Sequence, residues 1–329
     1  MNNNNNNNNR YDFPENSKFL VTGGAGFIGS NLVEKILEMG FYVRVLDNFS
    51  TGNKENIEVF YSNSNFDLQK GDIRNLEECQ KACEGIDYVL HQAALGSVPR
   101  SIDKPIETND VNVNGTLNML VASKKAKVKR FVYASSSSVY GDDLNLPKIE
   151  DRIGNPLSPY AITKLTKELY SKNFNEIYDF PTIGLRYFNV FGKRQNPNSI
   201  YAAVIPKFIK TLLYNKPPII NGDGLQTRDF TFIDNVVQAN LKACLAKEES
   251  FGKVFNIAFG QQKTIIQLYS DISRILRKEI VPKFGPDRVG DVRHSNADIN
   301  KAMNLLNYKP DYDVATGLRL TIDWYKNNL

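Results

Sequence analysis

Between a short apolar run, Lys18 to Thr22, and the helical pattern of Asn31 to Met39 stands Thr22-Gly23-Gly24-Ala25-Gly26-Phe27-Ile28-Gly29. A strand, a glycine turn and a helix in that order constrain the chain more than any other feature. Glycine lets the backbone turn sharply and approach a ligand with no Cβ in the way. The helix that follows offers free N–H groups and a partial positive charge, which suits a pyrophosphate. The spacing is Gly-x-x-Gly-x-x-Gly, not the commoner Gly-x-Gly-x-x-Gly. A glycine cluster alone carries little weight; this one gains it from its place between strand and helix.

The alternation continues. Tyr42 to Leu46 reads as a second strand ending at Asp47, and Asp87–His91, Arg130–Ala134 and Thr182–Arg186 read as further strands. Helical stretches from about Val111 to Ala126 and from Tyr160 to Tyr178 separate them. Strands spaced by helices predict βαβ crossovers and an α/β fold, a Rossmann-type doubly wound parallel sheet. A ligand is expected at the carboxyl ends of the strands. Past residue 188 the pattern loosens, with Pro197, Pro206, Pro217 and Pro218 interrupting it. The expected organisation is therefore a cofactor-binding domain over 16–188, with a return around 235–260. A smaller, less regular substrate-binding lobe is expected over 189–234 and 261–329. Residues 1–9 are a methionine and eight asparagines. Such a tract buries nothing apolar, so disorder is expected over 1–15.

Composition excludes several alternatives. The net charge of +5 over 329 residues is mild, and no run of Lys or Arg points to nucleic acid or a membrane surface. No apolar run approaches the roughly 18 residues of a membrane span, and no secretory signal is evident. Cys79, Cys83 and Cys244 form no disulfide framework, which fits a reducing compartment and predicts a cytoplasmic protein. With only His91 and His294 besides, no metal-ligand set is expected.

Asp47 ends the second strand at the separation expected of an acid that binds an adenosine ribose. A carboxylate there would repel a 2′-phosphate, which favours NAD over NADP. Asp72, in Gly71-Asp72-Ile73, suits the adenine edge or, equally, a turn. Tyr160 and Lys164 share a helix face. An ammonium beside a phenol stabilises the phenolate, so Tyr160 can act as a base. Alone, Tyr-x-x-x-Lys describes many amphipathic helices. Ser136, twenty-four residues earlier and just after a buried strand, places a hydroxyl at the same cleft.

These parts together resemble the extended short-chain dehydrogenase/reductase family, over almost the whole chain after the asparagine tract. The resemblance narrows to sugar-nucleotide 4-epimerases, and within them to bacterial UDP-N-acetylglucosamine 4-epimerases. It rests on His91-Gln92-Ala93-Ala94-Leu95-Gly96-Ser97-Val98-Pro99-Arg100-Ser101, Pro156-Leu157-Ser158-Pro159-Tyr160, Leu185-Arg186-Tyr187-Phe188-Asn189-Val190-Phe191-Gly192 and Gly290-Asp291-Val292-Arg293-His294-Ser295.

The resemblance implies roles for matching positions. Ser136, Tyr160 and Lys164 would be catalytic. Gly23, Gly26, Phe27, Ile28, Gly29, Asp47, Asn48, Ser50, Thr51, Gly52, Asp72, Ile73, Gln92, Thr108, Tyr187 and Val190 would join Tyr160 and Lys164 in holding NAD. Gly96, Ser97, Ser136, Ser137, Asn189, Tyr201, Val204, Lys207, Asn221, Arg228, Arg288, Asp291 and Ser295 would hold a UDP-sugar. Arg228 and Arg288 suit a diphosphate, because a guanidinium is a fork of donors that stays charged.

The implied reaction is C4 inversion of a UDP-hexose through a 4-keto sugar, supplying precursors of surface polysaccharide. Restricted 4-epimerases resemble one another in a large tyrosine where this chain has Ser295. The smaller residue favours UDP-GlcNAc and UDP-GalNAc over UDP-Glc and UDP-Gal. A UDP-N-acetylhexosaminuronic acid is an alternative substrate if Arg100 meets its carboxylate, and a decarboxylase of such a sugar is a weaker reading. A nucleotide-sugar dehydratase would carry Asp and Glu where Ser137 and Ser138 stand. A non-catalytic NAD-binding protein would commonly lack the Ser136, Tyr160 and Lys164 set. A homodimer is expected through the helices around 111–126 and 160–178.

Overall fold

The protein, described by a computed structural model over residues 11–199, 202–286 and 292–329, is built on a parallel sheet. Its first six strands are β1 (Lys18–Thr22), β2 (Tyr42–Asp47), β3 (Phe66–Lys70), β4 (Tyr88–His91), β5 (Arg130–Ser136) and β6 (Thr182–Tyr187). After β6 the chain leaves through short strands β7 (Val190–Phe191), β8 (Ile219–Asn221), β9 (Thr227–Asp229) and β10 (Thr231–Phe232). It returns as β11 (Lys253–Ile257), which pairs in parallel with β6. The order is β11-β6-β5-β4-β1-β2-β3. Direction of winding reverses between β1 and β4, so a crevice opens at their carboxyl ends.

Alternate residues of the strands serve two faces. Phe19 and Val21 join a core with Leu32, Val33 and Ile36 of α1 (Phe27–Glu38). Leu20 joins the opposite core, with residues of α3 (Leu76–Cys83), α6 (Gly115–Lys125) and α7 (Pro159–Tyr178). Strands buried on both sides explain the unbroken apolar runs. The short α2 (Glu55–Glu58) lies between β2 and β3. Helices α4 (Val98–Asp103) and α5 (Pro105–Asn109) precede α6, and one π turn, Asp110–Asn114, joins α5 to α6. The helix expected from Val111 thus belongs to a longer rod.

Ser158 caps α7, its hydroxyl accepting from the Ala161 N–H at 3.1 Å, and Pro159 starts the first turn. That pair fixes where Tyr160 leaves the loop. The remaining elements are α8 (Val204–Leu213), α9 (Ile233–Cys244), β12 (Gln262–Thr264), α10 (Ile265–Leu276), β13 (Lys283–Gly285), α11 (Asn300–Leu306) and α12 (Val314–Asn328). Strands β9 and β12 pair, as do β8 and β13, building the rim over the strand ends.

The disorder expected to residue 15 needs correction. Phe13 is buried, with ring contacts to Phe19 at 5.0 Å and Tyr88 at 5.2 Å. An aromatic side chain that close to β1 buries too much area to stay in solvent. All three cysteines are buried and unpaired by disulfides.

Candidate active site

β5 ends at Ser136, whose Oγ accepts from the Ser138 N–H at 3.1 Å. With an acceptor site so used, the hydroxyl proton is free to point into the groove toward Tyr160, and it lowers the pKa of that phenol. The backbone of Tyr160 is pinned by its N–H donating to Ser101 Oγ at 3.0 Å. One turn on, Lys164 Nζ donates to the Ala134 carbonyl at 3.0 Å and lies 5.6 Å from the Tyr160 ring centre. Burial raises the Tyr160 pKa, while the Ser136 hydroxyl pulls it back. Burial also brings Lys164 down to about 8, against the pull of Glu168. Both groups therefore sit where a nearby charge decides their protonation.

The glycine turn has the tightness the sequence implied. Gly23 has φ +68°, and a Cβ there would lie 2.8 Å from the Ala93 nitrogen. At Gly29 a Cβ would lie 2.1 Å from the Gly23 carbonyl oxygen. Asp47 is buried behind this turn, accepting from the Ala25 N–H at 2.9 Å and the Phe49 N–H at 2.8 Å. Each carboxylate oxygen keeps a lone pair for a ribose hydroxyl. Burial raises the Asp47 pKa.

A cleft of about 440 Å³ runs over these residues, lined also by Gly26, Phe27, Ile28, Asn48, Ser50, Thr51, Gly52, Asp72, Ile73, Gln92, Gly96 and Val190. Asp72 is held near pKa 2 by Arg74, with Asn48 donating to it at 2.7 Å. Its side chain thus serves the loop, while its position stays on the cleft wall. The crevice, the close-packed turn and the spare acceptors fit a dinucleotide.

From there a groove leads past Gln92, Tyr187, Tyr160 and Lys164 to Ser136 and Asn189. Beyond lies a hollow of about 280 Å³ containing Ser136, Ser137, Tyr160, Asn189, Arg228 and Ser295. A third hollow shares Asn189 and Arg228 with it and adds Val204 and Asn221. Dinucleotide cleft, reactive pair and a further elongated site are therefore continuous.

Some expected residues are placed otherwise. Thr108 is fully buried, its hydroxyl donating to the Lys104 carbonyl at 2.8 Å, and it does not line the cleft. Its place in the first turn of α5 turns it inward. Ser97 caps α4, accepting from the Arg100 N–H at 3.2 Å, and Lys207 stands a turn beyond Val204 on α8. Neither lines the three hollows. Tyr201, Arg288 and Asp291 lie outside the described residues.

Sequence reasoning also missed contributors. Asn240 of α9 shares hydrogen bonds with Gln92 and Tyr187, fixing both at the cofactor end. Glu168 accepts from Ser135 at 2.5 Å and from two nitrogens of Arg186 at 2.9 and 2.8 Å. It thereby holds the strand end that bears Ser136. Its spacing of eight from Tyr160 was a usable helical signal; nothing local marked Asn240.

The description "NAD dependent epimerase/dehydratase family" belongs to a family model that matches residues 19–258. A putative UDP-glucose 4-epimerase of Methanocaldococcus jannaschii is 39% identical, covering 94% of this chain and 98% of its own. The structure of UDP-N-acetylglucosamine 4-epimerase from Methanobrevibacter ruminantium, in complex with UDP-N-acetylmuramic acid, is similar with TM-score 0.91 and 38% identity. It covers 96% of this chain and 100% of its own. A UDP-glucuronic acid 4-epimerase from Bacillus cereus, in complex with UDP-glucuronic acid and NAD, gives TM-score 0.88 and 35% identity, with 95% and 100% covered.

Proposed function

Because the chain belongs to the NAD dependent epimerase/dehydratase family, we propose that it inverts C4 of a UDP-hexose, with UDP-GlcNAc and UDP-GalNAc its preferred pair. The observation that carries this reading is one continuous groove joining the dinucleotide cleft to Ser136, Tyr160 and Arg228. NAD bound in the cleft supplies a carbon that accepts and returns hydride at C4.

Tyr160 takes the proton of the C4 hydroxyl, and Lys164 supplies the positive charge that favours the phenolate. Ser136 donates to the same oxygen, since its Oγ already accepts from Ser138. The 4-keto sugar turns about its link to the diphosphate while Arg228 holds that anchor. Tyr160 then returns the proton with the opposite face presented. Ser137 and Ser138 beside Ser136 are poor proton carriers, so elimination of water has no acid or base there.

Two features favour a neutral, acetylated sugar. Ser295 is a small wall residue of the hollow beside Tyr160. Lys148, in the same wall, already has its ammonium on the Asp143 carbonyl and 3.3 Å from the Asp143 carboxylate. A uronate carboxylate would compete with that partner. Incubation with UDP-GlcNAc, UDP-Glc and UDP-GlcNAcA separately, without added reductant, tests the proposal by NMR of the products. UDP-GalNAc should form fastest; no C4 epimer from any of the three would refute it.

The product would serve surface-polysaccharide precursor synthesis in the cytoplasm, where free buried thiols persist. No helix of the described residues is long and apolar enough to cross a membrane. Of the helices expected at a dimer contact, α6 exposes Val121 and α7 exposes Ile162, Leu169 and Ile177. We read this face as the contact with a second copy, extended by exposed Ile102 and Ile106 of α4 and α5, which pack on α7.

A further inference from the structure

At the end of β9, next to Arg228, the fully buried Asp229 gathers three chain segments. Its Oδ1 accepts from the backbone N–H groups of Phe259 at 3.2 Å and Gly260 at 3.1 Å, in the turn after β11. Its Oδ2 accepts from the Ala297 N–H at 3.2 Å and Asn296 Nδ2 at 3.3 Å. Every one of these donors is neutral, so the carboxylate serves as a geometric hub.

What it joins are two walls of the groove. Arg228 lines both the sugar hollow and the hollow beyond it, while His294 and Ser295 line the sugar hollow. Main-chain bonds zip the same segments together: Thr227 N–H to Arg293 O at 3.0 Å, and Ser295 N–H to Thr227 O at 3.2 Å. The Arg228 guanidinium donates to the Thr227 carbonyl at 2.7 Å and the Arg293 carbonyl at 3.2 Å. On the other side Asn189 donates its side-chain amide to the Asp229 carbonyl at 3.3 Å. A shift of the 293–297 segment would therefore move the sugar wall and the direction of the Arg228 fork together.

We propose that Asp229 is a positioning residue for the sugar diphosphate, setting affinity by locking the Arg228 wall to the Ser295 wall, without touching substrate. The proposal rests on the reading that Arg228 meets the diphosphate. It separates two roles: Tyr160, Lys164 and Ser136 perform the proton chemistry, and Asp229 holds the shape of the anchor. Weak anchoring raises KM and leaves the chemical step intact.

The clamp also has an acid limit. Burial lifts the Asp229 pKa to about 6. Below that, one oxygen becomes a hydroxyl, a weaker acceptor with one lone pair fewer, and its proton competes with the two N–H groups that each oxygen faces. The charged and titratable groups on the packed segments are Arg228, Arg293, His294, Lys263 of β12 and Tyr308. Arg293 is paired with Asp223, Lys263 with Asp271, and burial keeps Tyr308 neutral while it donates to the Ala258 carbonyl. His294 has its Nδ1 3.0 Å from the Thr227 hydroxyl and is the imidazole on these segments.

The experiment measures kcat and KM, and the Kd of UDP-GlcNAc by calorimetry, from pH 5 to 8 on the NAD-loaded enzyme. In the parent, kcat/KM and affinity should fall as pH drops through about 6. Asp229→Asn should raise KM and Kd about tenfold, leave kcat within about twofold and lose the acid limb. Asn296→Ala, which removes one donor only, should raise KM about threefold and serves if the first variant fails to fold. His294→Gln should retain the acid limb. Unchanged KM and Kd in both clamp variants, or an acid limb that leaves with His294, would overturn the proposal. Arg228→Ala separates the two levels. If it leaves Kd unchanged, the diphosphate assignment itself is wrong; if it weakens binding while the clamp variants do not, only the clamp fails.

Discussion

At Tyr160, burial works against the phenolate, and only neighbouring groups can restore it. Replacing Tyr160 by Phe keeps the packing and removes the proton carrier. Turnover should fall by about 10²-fold or more, with bound NAD unchanged in the purified protein, read by assay and by its absorbance. Ser295→Tyr should abolish use of UDP-GlcNAc and spare UDP-Glc; retained acetylated activity in a product assay would remove the size argument. Lys167, three residues beyond Lys164, has a fully buried ammonium with no hydrogen-bond partner among the described residues. Burial and then Lys164 push its pKa well below the usual value. Between that depressed pKa and about 10.4, the unfolded chain binds a proton that the folded one lacks, so stability rises with pH there. Lys167→Met should stabilise the protein by about 1–3 kcal/mol at neutral pH and flatten that rise, read from thermal melts at pH 7 and 10.

Elements carry their own constraint. The first turn of α1 packs so closely on the glycine loop that Gly29→Ala would drive a methyl into the Gly23 carbonyl. A rigid backbone cannot yield as a side chain would, so a cost of about 1–3 kcal/mol and loss of most bound NAD are expected, measured by melting and cofactor content. This turn was legible locally, because a strand, three spaced glycines and a helix occupy consecutive residues. Tyr160 and Lys164 were legible for a similar reason: helical period places both on one face. The helix was expected only from Tyr160, although Ser158 and Pro159 carry a local signal for its start. Thr108 was misplaced because its position along α5 says nothing of which way that face turns. The return expected around 235–260 contains β11, but no local pattern reveals that this strand pairs with β6 and supports Tyr187 through Ile257.

For the whole molecule, the exposed face of α4, α5 and α7 is the testable surface. Ile106 is 85% exposed, an unusual state for a large apolar residue, and α4 and α7, which pack on its helix, expose Ile102 and Ile162. The protein should scatter light as a dimer at micromolar concentration, and Ile106→Asp should shift it toward the monomer. A parent that scatters as a monomer would remove that contact.

Read by itself, the sequence determined the parallel α/β class and the glycine turn, and it put Asp47, Ser136, Tyr160 and Lys164 forward as candidates. Each rests on periodicity or spacing within one or two adjacent elements. Tertiary structure alone decided that Asn240 braces Gln92, that Glu168 and Arg186 hold the end of β5, and that Asp229 ties β9 to the 293–297 segment. Those contacts join residues tens to more than a hundred positions apart, or depend on which face of an element turns inward. No local pattern encodes such a meeting; it follows from packing the sheet and its rim around one groove.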